Sequence, residues 1–261
     1  MSDATKRTEF ILQELMVHGR VLAEDLSQRL HVNSSTIRRD LEKLERQQLL
    51  RRVHGGAVPL DTPSYSTYAG ELTFQKNMHK LVEEKNRIAA AALHFIQPGD
   101  TLALSPGTTT THLARQIRRA LIPDLTVVTN AVNIAMELAQ VPGLTVTLTG
   151  GFLLSDFFAL VGPMAEQSLS QMFVGKAFIG VTGINAAYGL TGPNQLEALT
   201  HKKTIERAQQ TIVLADHSKL GQVALHAIAP ISAVHTLITD GAAPAQPVQD
   251  IKDAGVEVTL A

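Results

Sequence analysis

From residue 101 onward, short apolar runs alternate with helical stretches, and few patterns restrict a chain more. The runs Thr101–Leu104, Leu125–Thr129, Leu144–Thr149, Ala177–Val181, Thr211–Ala215 and His235–Thr239 read as strands, with a last one at Val256–Leu260. Helical spacing falls between them, at Thr108–Arg119, Val132–Gln140, Pro163–Met172, Leu196–Gln209 and Pro244–Ala254. Strands separated by helices at this interval predict an α/β fold around a mostly parallel sheet. Such sheets bind ligands beyond the carboxyl ends of their strands. The loops that follow the strands are therefore where chemistry is expected.

One of those loops is Ser105-Pro106-Gly107-Thr108-Thr109-Thr110-Thr111. Its glycine frees the backbone, its hydroxyls are donors, and a helix N-terminus follows, which together suit a phosphate. It is not a Walker A loop, because no Gly-Lys-Ser/Thr follows. Asn130 follows the second strand and Gly150-Gly151 the third, and Asp216-His217-Ser218-Lys219 follows a later one. Lys219 supplies a point positive charge. Each loop alone reads equally as an ordinary turn or helix cap. Together they predict a small-anion pocket lined by Ser105, Gly107, Thr108, Thr109, Thr110, Thr111, Asn130, Gly150, Gly151 and Lys219.

The first 58 residues differ in kind. They hold 10 Lys/Arg and 8 Asp/Glu, against 13 and 16 in the remaining 203, so charge is about twice as dense there. The near-neutral total of −1 hides this division. Apolar spacing predicts a helix over about 4–17, broken at Gly19, a second over Val21–Leu30, and a turn at 31–33. Ser34 or Ser35 then caps a third helix, with Ile37, Leu41 and Leu44 facing inward. Its outer face carries Ser35, Arg38, Arg39 and Glu42. Leu49–Val53 reads as a strand that His54-Gly55-Gly56 turns back into Ala57-Val58. A helix-turn-helix with a β-wing results. Such a helix fits the major groove, where an arginine forks onto guanine. Ser34, Ser35, Thr36, Arg38, Arg39 and Lys43 are the expected DNA contacts on the helix, with Arg51, Arg52 and His54 on the wing. A three-helix protein-interaction module is the bland alternative. Residues 59–79, polar and holding Pro59 and Pro63, read as a linker. The domains expected are 1–58, DNA-binding, and 80–261, effector-sensing and oligomerising, with a helix over Lys80–Ile96.

The string Thr36-Ile37-Arg38-Arg39-Asp40-Leu41, followed by Arg52-Val53-His54-Gly55-Gly56-Ala57, closely resembles the DeoR family of bacterial transcriptional regulators. Gly107-Thr108-Thr109, Val128-Thr129-Asn130, Gly150-Gly151, Gly162-Pro163-Met164-Ala165-Glu166 and Asp216 with Ser218-Lys219 carry the resemblance onward. It implies a winged helix-turn-helix joined to a larger α/β effector domain similar to ribose-5-phosphate isomerase and glucosamine-6-phosphate deaminase. It implies a cytoplasmic regulator, usually a repressor of carbohydrate-metabolism genes, released from double-stranded operator DNA by a phosphorylated sugar or related metabolite. Dimers or tetramers are implied as well. The chain departs from the family at Ser105 and Gly175, where an Asp is often found, and at Pro106 and His217. Those departures predict fewer carboxylates in the pocket.

The alternatives are an activator or dual regulator with a different effector, and a sugar-phosphate isomerase. An isomerase needs a carboxylate base, and only Asp216, Asp156 and Glu166 stand near predicted loops. Absence of cysteine excludes disulfides and thiolate metal sites. The ten histidines show no metal-ligand spacing, so neither metal nor cofactor is expected. No run of 18 apolar residues exists to span a membrane, and the start of the chain lacks the apolar stretch of a signal peptide.

Overall fold

The computed structural model describes residues 7, 8, 10–12, 14, 15, 20–46, 50–53, 55–58 and 74–261. The chain divides into two compact units, Met1–Ala69 and Gly70–Ala261.

In the first unit, α1 is helical at the described residues 7, 8, 10–12, 14 and 15. It is followed by β1 (Val21–Leu22), α2 (Ala23–Arg29), α3 (Ser34–Arg46), β2 (Arg51–Val53) and β3 (Gly56–Val58). The predicted second helix starts two residues late. Val21 and Leu22 are extended and pair antiparallel with Ala57 and Gly56, giving a sheet of order β1-β3-β2. Gly56 makes this possible: a Cβ there would stand 1.9 Å from the Val21 carbonyl oxygen. Ile11, Leu15, Leu26, Ile37, Leu41, Leu44, Leu50 and Ala57 form one buried core. The inward positions of α3 are those its spacing predicts. Leu50 precedes β2 instead of lying within it, and His54, Gly19 and the 59–73 part of the expected linker lie outside the described residues.

The expected serine cap is displaced by one residue. Ser34 is already helical, and the Asn33 Oδ1 accepts the Ser35 amide at 3.1 Å. Asparagine caps as well as serine because its short carbonyl reaches the orphan amides of the first turn. Asn33→Ala is expected to destabilise the first unit by about 1 kcal/mol and Asn33→Gly by only a few tenths. Chemical denaturation followed on that unit's transition checks this.

The second unit opens with α4 (Phe74–Met78) and α5 (Val82–Leu93). Residues 74–79, placed in the linker by the sequence, thus include a helix. A sheet of seven parallel strands follows, in the order β15-β14-β12-β9-β4-β5-β6. These are β4 (Thr101–Leu104), β5 (Leu125–Thr129), β6 (Leu144–Leu148), β9 (Val174–Gly180), β12 (Ala208–Leu214), β14 (Thr236–Thr239) and β15 (Glu257–Leu260). Helices α6 (Thr108–Ala120), α7 (Val132–Leu138), α8 (Pro163–Ser170), α9 (Gln195–Glu206) and α10 (Ala245–Asp253) connect them. Side chains alternate across the sheet. Leu102, Leu104, Phe178 and Ile212 pack with α5, α6 and α7 on one face. Ala103, Ala177, Ile179 and Val213 pack with α8, α9 and α10 on the other.

Two smaller antiparallel pieces were not expected. One is the hairpin β7 (Phe152–Leu154) with β8 (Ala159–Val161). The other is the sheet β10-β11-β13, built from Gly183–Asn185, Gly189–Gly192 and His226–Ala229. Their strands are three or four residues long, too short for periodicity to reveal.

The strand order fixes where a ligand-binding crevice is expected. From β4 the chain moves through β5 to β6 on one side, then returns to β9 on the other and continues outward. Connections leaving β4 and β9 therefore diverge, and a crevice opens between the carboxyl ends of these strands, at the reversal of strand order.

Candidate functional site

The first unit presents α3. Ile37, Leu41 and Leu44 anchor it, leaving Ser35, Arg38, Arg39, Lys43 and Arg46 exposed and Ser34 and Thr36 half-buried. Its carboxylates are largely engaged by partners. Asp40 is held by Arg7, whose Nε donates at 2.5 Å and Nη2 at 3.3 Å. Glu42 takes Arg46 at 2.6 Å, and Glu45 accepts the Arg52 backbone amide at 2.8 Å with the guanidinium 4.0 Å away. Among the described residues, no carboxylate pairs with Arg38, Arg39 or Lys43. The first turn of α3 contains no acidic residue. The helix thus offers Arg38 and Arg39 just beyond its positive N-terminal turn, and Lys43 in its last turn, with no carboxylate partner among the described residues. Arg51 and Arg52 are exposed on the wing strand.

In the second unit a cavity of about 540 Å³ lies at the switch point. Pro106 and Gly107 after β4, Gly180, Val181 and Thr182 at the end of β9, and Ala215 and Asp216 after β12 form its floor. Thr108 and Thr109 bring the N-terminus of α6 to it, Lys80, Lys85 and Lys219 bring three ammonium groups, and Glu197 and His201 bring the face of α9. Phe74 and Phe157 complete the wall. Phe74 meets Phe158 edge-on, 5.3 Å between centroids. Of the pocket residues expected from sequence, Gly107, Thr108, Thr109 and Lys219 therefore line this space.

The other expected residues do not line it, and each has a partner or packing role elsewhere. Thr110 and Thr111 are buried and donate their hydroxyls to the Gly107 carbonyl at 2.9 and 2.7 Å. Ser105 donates to the Pro106 carbonyl at 3.1 Å and accepts the Gly180 amide at 2.9 Å, tying β4 to β9. Asn130 donates to the Leu160 carbonyl at 2.9 Å and secures β8. Gly150 and Gly151 follow β6 at the edge of the sheet. Gly151, at φ +130°, permits a close approach to β8: a Cβ would stand 2.6 Å from the Val161 carbonyl oxygen. Gly175 is at the start of β9, its amide on the Thr101 hydroxyl at 3.0 Å, so a carboxylate there would face the opposite end of the sheet from the cavity. Gly175 is therefore not a missing pocket acid, contrary to what the resemblance implies. Asp156 and Glu166, considered as bases, do not line the cavity either.

Lys85, Glu197 and His201, which the sequence does not assign to the pocket, line it as well, as does Asp216, one of the three candidate bases. Lys85 is almost fully buried, and its ammonium donates to the Lys80 carbonyl at 2.6 Å and to the Asn77 carbonyl. Burial holds it below the usual lysine range, with Lys219 and Lys80 acting in the same direction and Asp216 and Glu84 against it. Asp216 is buried and accepts the Ser218 amide at 3.1 Å and the Ser218 hydroxyl. Burial raises the Glu197 carboxyl to about 7 and lowers the His201 imidazole to about 4. At neutral pH His201 is uncharged, with one donor and one acceptor. A signal for Glu197 and His201 was present: they lie one turn apart in the stripe set by Ala198 and Ile205. His217 has a partner in Asp240, with Nδ1 2.9 Å from Oδ2 and its amide donating to Oδ1 at 2.7 Å. No group of three or more metal-ligating side chains occurs among the described residues. Nor is any described helix long and apolar enough to cross a membrane.

A winged reader with unpaired cations on its third helix, on one chain with a parallel α/β unit that encloses a ligand-sized cavity, defines a ligand-responsive DNA-binding regulator. Residues 7–62 match the DeoR-like helix-turn-helix domain, and residues 80–241 match the DeoR C terminal sensor domain. The chain belongs to the DeoR family of transcriptional regulators. It is 36% identical to the HTH-type transcriptional repressor GlcR of Bacillus subtilis, over 98% of this chain and 95% of that one. It is 34% identical to the putative aga operon transcriptional repressor of Escherichia coli O157:H7, over 100% and 95%. The lactose phosphotransferase system repressor of Streptococcus mutans is 32% identical, over 90% and 91%. Among solved structures, ribose 5-phosphate isomerase A of Methanocaldococcus jannaschii covers 54% of this chain and 53% of its own, with 17% identity and a TM-score of 0.39. Family membership makes the chain a regulator that binds DNA and a small-molecule effector, and sets the isomerase reading aside.

Proposed function

We propose that this chain represses carbohydrate-metabolism genes and leaves its operator when a phosphorylated sugar, or a related metabolite, fills the cavity at the switch point. The observation that carries this reading is the charge of the cavity. Three lysines and a helix N-terminus line it, against Asp216 and a Glu197 that is half-protonated near pH 7. That balance favours an anion. Lys219 is half-buried and pairs with no carboxylate among the described residues, so its ammonium is available to a phosphate. The names of three relatives as repressors support the sign of control.

On the DNA, Ser34, Ser35 and Thr36 take phosphate near the start of α3, Arg38 and Arg39 read bases, and Lys43, Arg51, Arg52 and His54 hold the flanking backbone. The chain acts as a homo-oligomer. Phe152, Leu153 and Met164 are exposed and grouped around the β7–β8 hairpin, as a self-association surface would be. Two readers related by a two-fold axis meet half-sites roughly 34 Å apart.

The test is fluorescence anisotropy of labelled DNA from upstream of the chain's own and neighbouring genes, against a scrambled duplex, with a panel of sugar phosphates added. Selective binding released by one compound is the expected result. Lys219→Ala is expected to retain DNA binding and to require at least about tenfold more of that compound, the loss of one charge-assisted contact. Binding that no phosphorylated compound releases would refute the effector class. Release of the variant at an unchanged concentration would refute the role of Lys219.

A further inference from the structure

We propose that Glu197 and His201 form a second subsite of the sensor cavity, which takes the hydroxyl groups of a phosphorylated polyol and so decides which sugar phosphate is sensed. This rests on the anion reading of the same cavity and adds the part of the ligand that is not phosphate.

The two side chains stand one turn apart on α9 and both line the cavity. Each is more than nine-tenths buried, Glu197 at 8% exposure and His201 at 3%. Among the described residues, Glu197 Oε2 and both His201 ring nitrogens have no hydrogen-bond partner. Buried polar atoms are ordinarily paired, so an orphaned cluster facing a cavity needs explaining. The rest of the helix shows that this is not loose packing. Thr200 donates to the Leu196 carbonyl at 2.8 Å and Thr204 to the Thr200 carbonyl at 3.0 Å. Asn194 caps the helix by accepting the Leu196 and Glu197 amides at 2.9 and 3.2 Å. On α9 the buried side-chain atoms without a partner among the described residues are confined to the two residues that line the cavity.

Their chemistry selects the ligand class. A neutral imidazole offers a donor and an acceptor, and the Glu197 oxygen accepts or donates according to its proton. A sugar hydroxyl does both, so adjacent hydroxyls satisfy the pair. An apolar ligand would leave these groups stranded, and a second anionic group would meet the carboxyl. Ala198, Leu214 and Ile228 supply C–H surface beside them. The volume, about 540 Å³, exceeds that needed for a lone phosphate and suits a small metabolite.

The experiment is calorimetry on the full chain with inorganic phosphate, glycerol 3-phosphate, ribose 5-phosphate, glucose 6-phosphate and a monodeoxy analogue of the tightest of these. The wild-type protein is expected to prefer that sugar phosphate over its deoxy analogue by about tenfold, since a site built to bond a hydroxyl is left unpaired without it. Glu197→Gln and His201→Ala are expected to remove most of that preference and to leave inorganic phosphate binding within about twofold. Lys219→Ala should weaken all the phosphates together. A wild-type protein indifferent to every deoxy position would overturn the proposal without any variant. So would variants that weaken inorganic phosphate and sugar phosphate by one factor, while Lys219→Ala still marks the anion site. If no phosphate compound binds the wild-type protein, the anion reading falls and this subsite falls with it.

Discussion

Alanine at both Arg38 and Arg39 is expected to lower affinity for the operator by about two orders of magnitude or more, while random DNA loses much less. The reason lies in what surrounds these guanidinium groups. A surface arginine next to a carboxylate must give up that partner before it reads a base. Here Asp40 is engaged by Arg7, Glu42 by Arg46 and Glu45 by the Arg52 amide. Arg38 and Arg39 stand exposed with no such partner among the described residues, so a contact with DNA would break no ion pair there. A bidentate contact to guanine is worth about 1–3 kcal/mol of discrimination. Competition binding at one fixed salt concentration, operator against scrambled duplex, measures the ratio. If both duplexes lose affinity equally, and the salt slope falls by about 0.9 per arginine, the pair contacts phosphate and reads no base. Arg46→Ala is the instructive contrast, because it frees Glu42 to compete for the cations one turn away.

Much of this was legible in the sequence, for a physical reason that also explains what was not. Strands such as Thr101–Leu104 and Leu125–Thr129 match the periodicity reading at both ends, because buried parallel strands are near-continuous apolar runs. The unpaired face of α3 was legible as charge, although the pairing of Asp40 with Arg7, 33 residues away, was not. Strand order is a long-range property, and the cavity depends on it. Every loop after a strand looked equally suited to a ligand, yet only those after β4, β9 and β12 meet at the reversal. Gly150 and Gly151, after the edge strand β6, resemble pocket glycines and instead let β8 approach. Thr110 and Thr111 resemble ligand donors, but a hydroxyl in the first turn of a helix reaches the carbonyl three or four residues back more readily than a ligand. Glu197 and His201 share a stripe with Ala198 and Ile205, but that signal is weak, because polar residues on a helix read by default as solvent-facing. The tertiary structure turns that face inward.

Burial of Glu197 carries the second large effect, and it concerns stability against pH. Its carboxyl is raised from an ordinary 4.5 to about 7 because desolvation penalises the anion. A raised carboxyl contributes stability that is complete below the unfolded value and is lost as pH rises through the folded one. The wild-type second unit should therefore weaken between about pH 4.5 and pH 7 relative to Glu197→Gln, which has the same shape and no titration, and should change little further up to pH 9. The difference of 2.5 between the two values corresponds to about 3 kcal/mol across that window. For a unit of this size that is a shift of roughly 6–12 °C in Tm at the alkaline end. Thermal unfolding of both proteins at pH 5, 7 and 9, without ligand, gives the comparison. A difference in Tm that stays constant across the three would mean that the carboxylate is compensated in the empty cavity, by water or by the Lys85 and Lys219 ammonium groups nearby. Growth of the difference with pH would establish that the protein keeps an unsolvated carboxyl at its sensor site. Such a group favours a ligand that brings hydrogen-bond donors, and a saturating sugar phosphate that supplies them should narrow the gap between the two proteins at pH 9.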